Sequence, residues 1–111
     1  MTQWIAFDAG KSLGSQGSES GIIIKDEEIE NSARITIEKD GQIAPFAITL
    51  GIYGLTFHTN FYSSIQTAEE DFKWYKHKIE EILALYELQE EERKGDWNIK
   101  HNQLLDELTN R

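Results

Sequence analysis

Apolar and polar residues alternate along Ala33-Arg34-Ile35-Thr36-Ile37-Glu38, which sets Ala33, Ile35 and Ile37 on one face and Arg34, Thr36 and Glu38 on the other. That period of two is the signature of a half-buried strand. A second alternating run puts Phe46, Ile48, Leu50 and Ile52 on one side and Ala47, Thr49, Gly51 and Tyr53 on the other. Tyr53-Gly54 offers a tight reversal, after which Leu55, Phe57, Thr59 and Phe61 alternate with Thr56, His58, Asn60 and Tyr62. The two runs read as a long hairpin. Lys39-Asp40-Gly41-Gln42 carries an Asp-Gly pair suited to positive φ, and Pro45 marks the edge of the following run. Upstream, Trp4-Ile5-Ala6-Phe7 reads as a first strand. Ile22-Ile23-Ile24-Lys25 reads as a second, stopped by a solvated acidic turn at Asp26-Glu27-Glu28. Between them the Gly- and Ser-rich stretch from Asp8 to Gly21 discourages regular structure and reads as a long loop.

After Ser64 the period changes. Thr67-Ala68-Glu69-Glu70 has the form of a capping box. Phe72, Tyr75, Ile79, Ile82, Leu83 and Tyr86 then recur at steps of three and four, an apolar stripe for the sheet, with Glu69 and Lys73 able to pair on the wet side. Like charges at Glu90, Glu91 and Glu92 predict fraying, and Arg93-Lys94-Gly95 a stop. Asp96 is placed to cap a second helix bearing Trp97, Leu104, Leu105 and Leu108. The expectation is one α+β domain, 1–111, with about five mostly antiparallel strands over 4–62. A long helix over about 67–94 packs on one face of the sheet, and a short helix follows over 97–109.

Charge narrows the function classes. Twenty acidic residues against 11 basic ones give a net charge of −9, which repels nucleic-acid phosphate and anionic lipid and suits a basic protein partner. The absence of cysteine removes disulfides and thiolate metal sites, and no apolar window reaches membrane-spanning length, so a cytoplasmic protein without an export signal is expected.

Candidate chemistry is sparse. Gly10-Lys11-Ser12 invites a phosphate-loop reading, but position 5, where that motif requires glycine, is Ile5. Asp26-Glu27-Glu28 lacks the alternation of a calcium loop, and His58, His77 and His101 show no metal-ligand spacing. Gly10-Lys11-Ser12-Leu13-Gly14 has the Gly-x-Ser-x-Gly spelling but lies in the Gly/Ser loop with no predicted helix opening after it to make an elbow, so catalysis is not expected, and neither is a metal or a cofactor. Trp4, Trp74 and Trp97, with Tyr53, Tyr62, Tyr75 and Tyr86, are more numerous than one small core hides, which suits an interface or the cover of a sheet edge.

The segments Gly17-Ser18-Glu19-Ser20-Gly21, Ala33-Arg34-Ile35-Thr36-Ile37-Glu38, Ala44-Pro45-Phe46-Ala47-Ile48-Thr49, Gly51-Ile52-Tyr53-Gly54 and His58-Thr59-Asn60-Phe61 resemble a set of small bacterial α+β proteins. The resemblance runs over roughly residues 4 to 83 and implies a bacterial cytoplasmic source, but no activity. In size, acidity and layout the chain also looks like bacterial immunity proteins, which block toxins by binding them.

The function expected is thus a non-enzymatic protein-interaction or regulatory module, with a protein partner or a second copy as its ligand. The contact residues proposed are Lys11, Ser12, Glu19, Glu28, Arg34 and His58. The alternative is a small-ligand or metal-dependent enzyme using His58 with Arg34 or Glu28 near the open sheet face. The loop from Asp8 to Gly21 is either a mobile connection or the part that meets the partner.

Overall fold

A computed structural model describes residues 3–88 and 95–111. Five antiparallel strands form one sheet in the order β1-β2-β3-β4-β5, a meander in which each strand pairs with its sequence neighbours. They are β1 (Ile5–Ala6), β2 (Ile22–Ile29), β3 (Ala33–Lys39), β4 (Phe46–Ile52) and β5 (Thr56–Tyr62). A long helix, α1 (Ile65–Tyr86), and a shorter one, α2 (Trp97–Thr109), follow, so the architecture is α+β. The chain divides into two compact units, Met1–Lys73 and Trp74–Arg111.

In the first unit the alternation in β3 and β4 does what its period requires. Ile35 pairs with Leu50 and Ile37 with Ile48, and all four side chains are buried. Three hairpin turns connect β2 through β5. The first turns at Asn31 in the left-handed region (φ 62), and the second at Asp40 (φ 58), whose N–H donates to the Pro45 carbonyl at 2.8 Å. The third has Gly54 at φ 77. At the second turn the left-handed residue is thus Asp40; its neighbour Gly41 lies close under the chain, where a Cβ would stand 2.8 Å from the Glu19 carbonyl oxygen.

The acidic cluster does not end β2, as the run of like charges predicts. The strand continues through Asp26, Glu27 and Glu28 to Ile29, because pairing with β3 sets Glu28 opposite Arg34 and leaves Asp26 buried and bonded to the Arg34 guanidinium. A β-bulge at Ile24 shifts the register between Ile23 and Lys25. Ile23 therefore lies beside Glu38 on one face while Lys25 lies beside Ile37 on the other. On that second face Lys25 meets Glu69 at 3.2 Å and lies over the Phe72 ring, and the Tyr62 hydroxyl donates to Asp71 at 2.7 Å. The first turns of α1 are thereby fixed to the sheet, with Ala68 and Phe72 buried. Glu69 takes Lys25 as its ion partner, where the helical spacing had offered Lys73.

Helix α1 starts at Ile65, two residues before the expected box. Ser64 is its cap: the Ser64 hydroxyl accepts from the Thr67 N–H at 3.3 Å and exchanges a bond with the Thr67 hydroxyl, and Ala68 N–H donates to the Ser64 carbonyl. The helix ends at Tyr86, earlier than expected, where a tight bond from Glu87 N–H to the Ala84 carbonyl closes its last turn. The expected fraying through Glu90, Glu91 and Glu92 and the stop signal at Arg93 and Lys94 lie outside the described residues.

In the second unit α1 and α2 are joined by side chains. Trp97 donates its indole N–H to the Leu85 carbonyl at 2.9 Å and stacks on His101 (4.9 Å, 11°), while the Tyr86 hydroxyl bonds His101 Nε2. Lys78 reaches Glu107 at 3.1 Å, and the Arg111 guanidinium lies 4.2 Å from the Trp74 ring centre. Asp96 stands at the cap position of α2 but makes no side-chain capping bond. Among the described residues no helix is long and apolar enough to cross a membrane.

Candidate functional site

The segment from Asp8 to Gly21, which composition assigns to an irregular loop, is bonded to the sheet, by backbone along the outer edge of β2 and by side chains over the face opposite the first turns of α1. Gly14 N–H donates to the Ile23 carbonyl and Ile23 N–H to the Ser15 carbonyl, each at 2.9 Å, and Gln16 makes a bridge with Ile22. Glu38 holds the far end. Its side chain is buried, and its Oε1 accepts from the backbone N–H groups of Glu19 (3.0 Å) and Gly21 (2.8 Å), while Oε2 has no hydrogen-bond partner. The glycine at 21 is dictated by close approach, since a Cβ there would stand 2.5 Å from the Lys39 carbonyl oxygen.

At the other end the anchor is Asp26. The Ser12 hydroxyl donates to its Oδ2 at 2.7 Å, and Arg34 donates through Nε and Nη2 at 2.9 and 2.6 Å. The Asp26 side chain is fully buried and the Arg34 side chain about one-third exposed. Phe7 lies over the guanidinium, 3.6 Å from it at the ring centre. The bonds to Asp26, outweighing the cost of burial, raise the Arg34 pKa further above its ordinary value, so this cation is permanent and is balanced on the spot by Asp26.

Between these anchors lies a cavity of about 330 Å³. Arg34, Thr36 and Thr49 line its floor, Phe7, Tyr53 and Phe57 its sides, and residues 16–18 of the covering segment its rim. Ser18 and Thr49 hydroxyls meet across the rim at 3.3 Å, and Thr49 continues the row to Thr59 at 3.2 Å. Gly51 provides bare backbone on which the Phe57 ring rests: a Cβ there would stand 2.6 Å from Cε1 of that ring. Phe57 nonetheless remains 76% exposed and Tyr53 43%.

Of the residues the sequence singles out, Ser12, Glu28 and Arg34 gather around Asp26. Glu19 contributes its backbone N–H to Glu38, and its carboxylate accepts from the Ser18 hydroxyl at 3.4 Å. Lys11 is exposed beside Ser12. His58 stands apart. It pairs with Leu50 on the apolar face, whereas Arg34 pairs with Gly51 on the other, so the sheet separates His58 from Arg34 and Glu28. Burial lowers the His58 pKa from its ordinary 6.5. The same alternation divides Asp26 and Glu28 from Glu27, and no group of three metal-ligating side chains occurs among the described residues.

Sequence reasoning missed Asp26, Glu38, Phe7 and Phe57. Continuing β2 through its acidic residues to a turn at Asn31 would have revealed Asp26, because that hairpin brings Arg34 back beside it. Nothing local in the sequence connects Glu38 to amides 17 and 19 positions away. No protein-family model, no curated protein and no solved structure matches this chain.

Proposed function

We propose that the protein is a non-enzymatic protein-interaction module whose cleft beneath the Gly/Ser segment receives an apolar or aromatic side chain of a partner protein. The supporting observation is the pair Phe57 and Tyr53, 76% and 43% exposed at the side of the 330 Å³ cavity. Exposed aromatics beside a concave apolar site are the usual anchors of binding surfaces, because they bury much area at small entropic cost. The polar groups of the cleft already bond one another, Arg34 with Asp26 and Thr49 with Ser18, which leaves shape and apolar contact as the main source of affinity. The net charge of −9 favours a partner with a basic surface around the inserted side chain.

A small-molecule site in the same cleft is the second reading. Its support is the volume, which falls at the lower end of the range for small ligands. Affinity capture with the parent and with Tyr53→Ser tests the first reading. Proteins retained by the parent and lost with the variant are the expected result. The same set retained by both overturns it, and a small molecule that raises the parent's melting temperature but not the variant's favours the second reading.

A further inference from the structure

We propose that two copies of this chain join edge to edge along β5, antiparallel, about a two-fold axis at Thr59. Strand β5 is the last in the sheet, so one side of its backbone faces no other strand among the described residues. Exposed edges are normally guarded by charged residues, proline or a bulge. Thr56-Phe57-His58-Thr59-Asn60-Phe61-Tyr62 contains no Lys, Arg, Asp, Glu, Pro or Gly, although charged residues make up 28% of the chain. Its seven residues pair with β4 one for one, without a bulge.

The strand is also self-complementary. Outward from Thr59 in both directions come a polar residue (His58, Asn60), a phenylalanine (Phe57, Phe61) and a hydroxyl-bearing residue (Thr56, Tyr62). A two-fold contact requires a surface that matches itself, and this order supplies one. With the axis at Thr59, Phe57 of each copy stands opposite Phe61 of the other, so the pairing forms two cross-strand aromatic pairs. Both rings lie on the face opposite the first turns of α1 and are exposed, Phe57 at 76% and Phe61 at 38%. The Phe61 N–H, which now donates to the Asn60 side chain at 3.0 Å, would exchange that local bond for one between strands. The opposite edge cannot continue the series: β1 has two residues and runs directly into left-handed backbone at Asp8 and Ala9. Pairing at β5 therefore closes as a dimer and does not propagate as a filament.

This inference shares Phe57 with the cleft but uses neither Tyr53 nor the covering segment, so Tyr53→Ser leaves it unchanged and Phe61→Glu tests it apart from the cleft. Two copies of charge −9 repel, so the dimer is expected to strengthen as salt is raised, the reverse of an association held by ion pairs. Sedimentation equilibrium on the whole chain is expected to move from the 12.8 kDa monomer toward twice that mass over micromolar to millimolar concentration. Phe57→Lys and Phe61→Glu, each checked for a parental circular dichroism spectrum, should each weaken association at least tenfold. An equimolar mixture of the two should regain it, because the new cation on one copy then faces the new carboxylate on the other while the second aromatic pair is kept. A parent that stays monomeric, or a dimer that both variants leave intact, overturns the proposal; failure of the mixture to associate overturns the register about Thr59.

Discussion

Replacing Glu38 with Gln leaves the shape of the side chain nearly unchanged but removes the charge that holds the covering segment. Two N–H donors, of Glu19 and Gly21, converge on Oε1, and bonds to a charged acceptor contribute about 1 kcal/mol more each than bonds to a neutral one. The amide NH2 would take the place of Oε2, which is buried, accepts no bond, and lies against Gly17, so a new donor there is left unsatisfied at a further cost of about 1–3 kcal/mol. Opposing both is relief from burying a carboxylate that pairs with no cation among the described residues, a penalty of several kcal/mol per ion when uncompensated. The two convergent amides already offset much of that penalty, and the expected balance is a loss of about 1–2 kcal/mol. Glu38→Ala, which leaves both amides without an acceptor, should lose about 2–4 kcal/mol. Urea unfolding gives the stabilities, and amide hydrogen exchange at Glu19 and Gly21 reports the bonds themselves. If Glu38→Gln is as stable as the parent and both amides keep their protection, the charge has no part in holding the segment, and the reasoning fails.

Other expectations follow from the same face and its reverse. Arg34→Ala leaves the buried Asp26 with Ser12 as its remaining donor among the described residues, and should lose about 2–4 kcal/mol in urea unfolding, less than for a fully buried pair because Arg34 is one-third exposed. Gly21→Ala drives a Cβ into the Lys39 carbonyl, so the exchange protection of the Glu19 and Gly21 amides should collapse together with about 2 kcal/mol or more of stability. His58 has its pKa lowered by burial, so the folded state binds fewer protons than the unfolded chain; the contribution is whole above 6.5 and is lost as pH falls below that value. His58→Gln should therefore flatten the fall of melting temperature on the acid side of 6.5.

What was legible in the sequence was whatever one period determines. Strands β3, β4 and β5 and the apolar stripe of α1 follow from side-chain alternation, which a strand or a helix with one buried face must show whatever it packs against. Composition misled where a distant partner reverses a local preference. Asp26-Glu27-Glu28 reads as solvated because like charges repel, yet Arg34 across the hairpin makes Asp26 a buried strand residue. Ser12, Glu28 and Arg34 were recognisable as polar candidates, but their meeting place is set by the register of β2 against β3. Thr67 fits a capping pattern, and Ser64 takes the role because its hydroxyl is the one in reach of a free amide at the helix start.

The extra residue in β2 has a consequence for how this chain tolerates change in length. Because Ile24 is unopposed on β3, a deletion there brings Ile23 and Lys25 into direct succession with each still on its present face. Elsewhere in the paired strands, losing one residue turns half a strand over and exchanges core for surface. The bulge thus makes the junction between the Gly/Ser segment and the sheet a place where the chain can lose one residue without turning either flank of β2 over.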